Sequence, residues 1–250
     1  MKEKQFDIIY GVNPVIEALQ AKKRKPIKLY LADSRHDKYA DMIRQFAKQT
    51  SIPLVIMPRQ ELYKITLSEG NQGIAGIFEP YPYSDIQTII QKAKNLNEMP
   101  FLVALDQIQD PHNVGAIIRT ASCLGWHGVI LTKRRSPEIT PAVVKASSGA
   151  TEYMDIVIVA NLRTEIELLK KDKCIAVGLD INGNSDFNDV TNQDGIVLII
   201  GGEETGIRKP VLDVCDYIVS IPMKGKPNSL NASVSAGIAM YTLKKSIIQK

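Results

Sequence analysis

Six short, almost wholly apolar runs constrain this chain more than any other feature: FLVALD (101–106), GVIL (128–131), MDIVIV (154–159), CIAVGLD (174–180), IVLII (196–200) and YIVSI (217–221). A strand with one wet face alternates apolar and polar residues, whereas a run with no alternation must be covered on both faces. Stretches of helical periodicity near 114–124, 138–146, 161–171 and 232–248 supply the cover. The expected architecture is α/β, a parallel sheet between layers of helices. In such sheets ligands lie beyond the carboxyl ends of the strands, so the loops after the strands are where chemistry is expected.

A smaller α/β block precedes it. Asn13-Pro14 reads as a helix cap and first-turn proline, IKLYLA (27–32) as a strand, and 37–49 as a helix with Met42, Ile43, Phe46 and Ala47 on one face. PLVIM (53–57) reads as a buried strand, 59–67 as a short helix and IAGIFE (74–79) as another strand. The prolines of EPYPYSD (79–85) break both periodicities. The division is therefore 1–80, a linker at 81–98 containing a polar helix, and 99–250.

Charge follows that division. Residues 1–80 carry 13 Lys and Arg against 9 Asp and Glu, while 99–250 carries 16 of each sign, so the whole net charge of +4 sits in the first block. The run Lys22-Lys23-Arg24-Lys25 is a solvated helix end on the simplest reading, and the asymmetry suits a polyanion partner. No apolar run is long enough to span a bilayer, and the N-terminus lacks the apolar core of a signal peptide. Cys123, Cys174 and Cys215 are odd in number and set among apolar neighbours, which reads as reduced core thiols in a cytoplasmic protein.

Three loops carry the chemistry. The first, Asp106 to Ala121, follows FLVALD; Asn113 reads as its helix cap, and Arg119 lies among apolar neighbours. The second, Gly201-Gly202-Glu203-Glu204-Thr205-Gly206, follows IVLII and matches neither GxGxxG nor the P-loop; its glutamates suit hydroxyls or a cation better than phosphate. The third runs from Ile221-Pro222-Met223 through Ser229-Leu230-Asn231 into the last helix, whose small residues at 232–237 imply close packing. Each alone has an ordinary structural explanation in a capped turn or a rim arginine. HExxH, paired CxxC and GxSxG are absent, and the histidines (36, 112, 127) are scattered, which argues against a metal site or a serine nucleophile.

Taken together, NxGxxxRTA (113–121), GxExxG (201–206) and IPM…SLNxSxxxGI (221–238) resemble, in order and spacing, the three motifs of the SpoU (TrmH) family of the SPOUT superfamily. YGVNPVIEAL (10–19) and NQGIAGI (71–77) resemble the small substrate-binding domain of its RlmB subgroup, which methylates a guanosine of 23S ribosomal RNA; family members often have His where this chain has Asn71. The resemblance implies a C-terminal trefoil knot, a homodimer with its interface beside the cofactor, and transfer of a methyl group from S-adenosylmethionine to a ribose 2'-hydroxyl of structured RNA. It implies that Gly201, Gly202, Ile221, Met223, Leu230 and Asn231 hold the cofactor, and that Asn113, Arg119, Glu203, Ser229 and Asn231 form the catalytic set. A guanidinium stays protonated, so Arg119 suits a phosphate clamp and stabiliser of a developing alkoxide better than a base. Ribosomal RNA is favoured over transfer RNA by the N-terminal block, with Lys22, Lys23, Arg24 and Lys25 as its RNA-facing cations. Two rivals are a non-catalytic ribosome-assembly factor, disfavoured by the intact polar set, and a nucleotide-dependent oxidoreductase, disfavoured by the missing GxGxxG.

Overall fold

The computed structural model describes residues 6–190, 194–203, 205–226 and 229–248, so Glu204, Pro227 and Asn228 of the second and third motifs lie outside the described residues. The chain forms two compact units: residues 1–82 with 138–153, and residues 83–137 with 154–250.

The first unit is a four-stranded sheet with helices. Its elements are β1 (Asp7–Tyr10), α1 (Val12–Ala21), β2 (Pro26–Ala32), α2 (Lys38–Thr50), β3 (Leu54–Met57), α3 (Arg59–Thr66) and β4 (Ile74–Phe78). The sheet order is β1-β4-β2-β3, antiparallel except for the β2–β3 pair. Several local expectations change. The strand β1 was not anticipated, and α1 starts at Val12 behind Gly11 at φ 95°, so Asn13 is inside the helix, not its cap. β3 is an edge strand with Ile56 exposed instead of a buried one, and Met42 points to solvent while Ala40, Ile43 and Ala47 face the core. Asn71 is buried in a turn, donating to Thr66 Oγ1 and Ser68 O and accepting from Gly73 N, a structural role for the position where family members often have His.

The basic run departs furthest from expectation. Arg24 is buried; its guanidinium donates to Asp7 at 2.8 Å and to Glu152 at 3.1 and 2.5 Å. Lys23 reaches the Tyr81 hydroxyl at 2.7 Å, and only Lys22 and Lys25 of the four are exposed. Arg24 is therefore not an RNA contact: a buried guanidinium needs carboxylates, and two are already on it. Glu152 arrives from the segment 138–153, which also carries the short helix Pro141–Ala146 against β1 and Lys145 against Gln72 Oε1 at 2.9 Å. Burial of the Lys145 ammonium lowers its pKa.

The second unit begins with α4 (Ile86–Asn95), whose Ile89, Ile90 and Ala93 enter the core. It continues with β5 (Phe101–Asp106), α5 (Pro111–Cys123) and β6 (Gly128–Thr132); the Pro141–Ala146 helix is α6. Then come β7 (Asp155–Val159), α7 (Leu162–Lys171), β8 (Cys174–Leu179), β9 (Gly195–Gly201), α8 (Lys209–Leu212), β10 (Tyr217–Val219) and α9 (Ala232–Ile248). All six strands are parallel, in the order β10-β8-β9-β5-β6-β7. The apolar runs are thus the sheet, with Val103, Ile130, Ile156, Val177 and Leu198 fully buried. The cysteines divide: burial pushes the Cys174 and Cys215 thiols up to about 12, whereas Cys123 is exposed at the end of α5 and is not a core thiol. Among the described residues no helix is long and apolar enough to cross a membrane, and no cluster of His, Cys, Asp and Glu could hold a metal ion.

Candidate active site

Three loops leave the carboxyl ends of β5, β9 and β10 and converge. The first is set by Asp110 and Pro111. The Asp110 carboxylate accepts from His112 N at 3.0 Å, and Pro111 takes the first helical position, where a missing N–H costs nothing. The helix therefore starts before Asn113, which is not its cap. Freed from capping, the nearly buried Asn113 side chain donates from Nδ2 to Glu203 Oε1 at 2.9 Å.

Asn231 serves two ends at once. Its Oδ1 accepts from Ser233 N at 3.0 Å and Val234 N at 3.4 Å, which caps α9. Its Nδ2 donates to Asn113 Oδ1 and to Glu203 Oε1, both at 2.9 Å. Asn113, Glu203 and Asn231, 118 positions apart at the extremes, form one closed hydrogen-bonded cluster.

The turn bearing Glu203 is tight. Gly206 N donates to Gly202 O at 2.9 Å, Gly206 has φ 62°, and a β-carbon at position 201 would run into the backbone of Gly206 and Ile207. These glycines are needed for the turn itself. Asp106, fully buried at the end of β5, accepts from Arg208 N at 2.9 Å and from its guanidinium at 2.6 to 3.2 Å, and Gly202 N donates to Asp106 O at 3.1 Å. The first loop thus clamps both ends of the second.

Two cavities open here. One, about 350 Å3, is walled by Leu179, Ile200, Ile221 and Leu230 with the carboxylates of Asp180 and Glu203 and the side chain of Met223. Gly201, Gly202 and Ser229 also line it, so the described residues expected to hold a cofactor are gathered there, with Asn231 bonded at its edge. No Lys or Arg is among its described lining, so a nucleotide phosphate would find no cation. The other, about 360 Å3, is bounded by Gln107, Asp110, Asn113 and Arg135, and shares Gly202, Glu203 and Thr205 with the first. Arg119 is exposed on α5 and lines neither cavity. The basic run at 22–25 belongs to the first unit.

Sequence reasoning missed Asp180, Arg135 and the Asp106–Arg208 clamp. Asp180 was within reach, because the loop after β8 leaves the same sheet edge as the three loops singled out. Arg135 ends a Lys-Arg-Arg run after β6, also at a strand's carboxyl end. The clamp joins residues 102 apart and has no local signal.

The profile of the SpoU rRNA Methylase family matches residues 100–241, and that of the RNA 2'-O ribose methyltransferase substrate binding domain matches residues 8–84. YacO of Bacillus subtilis (strain 168), described as a TrmH family tRNA/rRNA methyltransferase, is 36% identical over 237 residues, covering 95% of this chain and 94% of its own. A Staphylococcus aureus (strain MSSA476) protein of the same description is 34% identical, covering 94% of each chain. Among solved structures, the SpoU methyltransferase AviRb of Streptomyces viridochromogenes in complex with AdoMet superposes with a TM-score of 0.81 at 25% identity, covering 98% of this chain and 91% of that one. The AdoMet-bound rRNA methyltransferase of Sinorhizobium meliloti gives a TM-score of 0.80 at 23% identity, covering 97% and 88%, a likeness of fold.

Proposed function

This chain belongs to the SpoU rRNA methylase family, and from that premise we propose that it methylates a ribose 2'-hydroxyl of structured RNA with S-adenosylmethionine as donor. That it is an RNA methyltransferase using this donor follows from the family and the AdoMet-bound relative. The ribose as acceptor is supported by the substrate-binding profile over 8–84, and ribosomal RNA, a 23S guanosine as in the RlmB subgroup, is the target we favour. Transfer RNA is the second reading, since the relatives' description names both. The cytoplasm, where such RNA is found, is the proposed location.

The residues of the first cavity fit the cofactor. Leu179, Ile200, Ile221 and Leu230 offer apolar faces to an adenine, and Asp180 and Glu203 offer carboxylates to ribose hydroxyls and a sulfonium. When bound, the cofactor supplies a methyl group on a positively charged sulfur. Gly201, Ile221 and Leu230 would hold its adenosyl part through the backbone, with Gly202 and Met223 alongside.

The observation that carries the reading is the Asn113–Glu203–Asn231 cluster, whose Glu203 lies on the wall common to both cavities. Its amides hold Glu203 where an acceptor hydroxyl in the second cavity meets a donor in the first. Pre-positioning of this kind replaces a bimolecular encounter with an aligned one. We assign Glu203 to orienting that hydroxyl and receiving its proton, and Ser229 to the cofactor side of the wall. The ribose oxygen would take the methyl group as the bond from methyl to sulfur breaks, and sulfur keeps the pair.

Arg119, outside both cavities of its own chain, would reach a phosphate from a second copy. A homodimer is supported by the exposed stripe Val234, Ile238 and Tyr241 on α9, which packs against α5. The trefoil knot belongs to the same proposal. The test is incubation with methyl-labelled S-adenosylmethionine and RNA from cells lacking the protein. Label at one alkali-resistant linkage, the mark of a blocked 2'-hydroxyl, is expected; label on a base, or none, would refute ribose transfer.

A further inference from the structure

We propose that the second cavity receives the target nucleotide and that Arg135 clamps a phosphate flanking the reacting ribose, a role that rests on the RNA methyltransferase reading. The cavity has opposed chemistry on its walls. Asn113 and Glu203 present an amide and a carboxylate suited to a hydroxyl, and Arg135 presents a cation suited to a phosphate. Its volume of about 360 Å3 is within the range that encloses a small ligand. The lining also holds two carboxylates, each already hydrogen-bonded: Asp110 caps α5, and Glu203 Oε1 takes two amide donors.

The backbone gives a second, independent pointer. Arg135 has φ 58° and Gln107 has φ 63°, both in the left-handed region that costs free energy for any residue with a β-carbon. These two strained residues face each other, with Arg135 Nη1 donating to Gln107 Oε1 at 3.3 Å. An exposed hydrogen bond of that length does not offset strain at two positions. Nor does burial, since Arg135 is exposed. The loop is nevertheless held: Thr132 Oγ1 lies 2.9 Å from both Arg134 O and Ser136 Oγ. Left-handed φ recurs at seven other described non-glycine residues, several of them helix ends, so what singles out this pair is that both members meet at the cavity wall. Lys133 and Arg134, both exposed, extend the cationic edge. The second unit carries 17 Lys and Arg against 16 Asp and Glu, so a polyanion is met by a local concentration of cations such as this one, not by the charge of the unit as a whole.

The test uses the full-length protein and the variants Arg135→Ala, Arg135→Lys and Arg135→Gly. Retention of bulk RNA from cells lacking the protein is measured on filters across a salt series, and S-adenosylmethionine binding by calorimetry. The expected result for Arg135→Ala is RNA affinity lower by on the order of tenfold and a log–log salt slope shallower by about one, with cofactor affinity unchanged. Arg135→Lys restores part of the slope, and Arg135→Gly, free of the strain, melts no lower than wild type yet binds RNA as weakly as Arg135→Ala. Wild-type RNA affinity and slope in Arg135→Ala would overturn the assignment, as would loss of cofactor binding or a lower melting temperature in Arg135→Gly, either of which marks a structural loop residue. Ribose methylation by the wild-type protein is scored separately, so the assignment of Arg135 can fail while the activity stands, and the activity can fail while RNA binding is still read.

Discussion

Asn231 serves both a helix cap and the cluster proposed to carry the chemistry. Its Oδ1 caps α9 while its Nδ2 fixes Asn113 and Glu203. Substitution can separate the two. Asn231→Ala removes both, and loss of a cap costs about 0.5–2 kcal/mol. Asn231→Asp keeps the cap acceptor, but replaces the donor with a carboxylate beside Glu203. We expect urea melts to place Asn231→Asp nearer wild type than Asn231→Ala, while methyl transfer falls on the order of a hundredfold in both; near-normal turnover in Asn231→Asp would reduce the residue to a cap. The type and position of this residue were legible in the sequence, because SLNAS before a helical run marks a cap. Its second task was not, since the acceptors lie 28 and 118 positions away. Arg24 is the converse case. Lys-Lys-Arg-Lys reads locally as solvated charge, yet one member is enclosed by Asp7 and a glutamate 128 residues downstream. Composition reports charge, whereas burial depends on partners that folding brings from afar.

At the scale of elements, the apolar strands were legible because burial on both faces leaves no polar positions, and that pattern is local. The parallel sheet of the second unit follows from it. Helix starts were less legible. Asn113 and Asn13 both have good cap chemistry, but Asp110-Pro111 supplies a cap with proline at the first position, and Gly11 takes the φ of 95° that opens α1. Short pieces such as β1 and α8 are held by tertiary contacts more than by their own periodicity. The clamp between β5 and the loop after β9 also belongs to this scale. Asp106 accepts from the Arg208 backbone and guanidinium, fixing the turn that carries Glu203. Asp106→Asn keeps the shape and removes the charge. Cofactor affinity should weaken several-fold to about tenfold, which is about 1.4 kcal/mol, as calorimetry would read, with Arg208→Ala giving a similar loss. Unchanged affinity in both would mean that the turn holds Glu203 without the clamp.

The whole molecule is not divided in chain order. The segment 138–153 belongs with residues 1–82, so a cut at residue 98 would keep Glu152 and remove Arg24. The sequence offered no sign of this, because the Pro141–Ala146 helix fits the alternation of the second unit as well as any other. Ile139, Val143 and Val144 of the segment are buried, and its buried polar contacts fasten it further. Both Arg24 and Glu152 have fully buried side chains, 2.5 Å apart, and the Tyr81 hydroxyl donates to Thr151 O at 3.0 Å. Removing one partner of such a pair leaves a charge without water or counterion, a loss of about 3–5 kcal/mol. Arg24→Ala should therefore destabilise the first unit strongly. The chain holds a single tryptophan, and Trp126 is buried in the second unit against Phe101, so its fluorescence reports that unit alone, whereas circular dichroism reports both. In urea, Arg24→Ala should lower the midpoint of the dichroism change and leave the Trp126 transition near the wild-type value. Added S-adenosylmethionine, whose proposed site is in the second unit, should raise the Trp126 midpoint in both proteins. If Arg24→Ala moves neither transition, the buried pair is not what holds 138–153 to the first unit. If it lowers both equally, the two units unfold as one, and an excised 99–250 fragment should not be expected to fold alone.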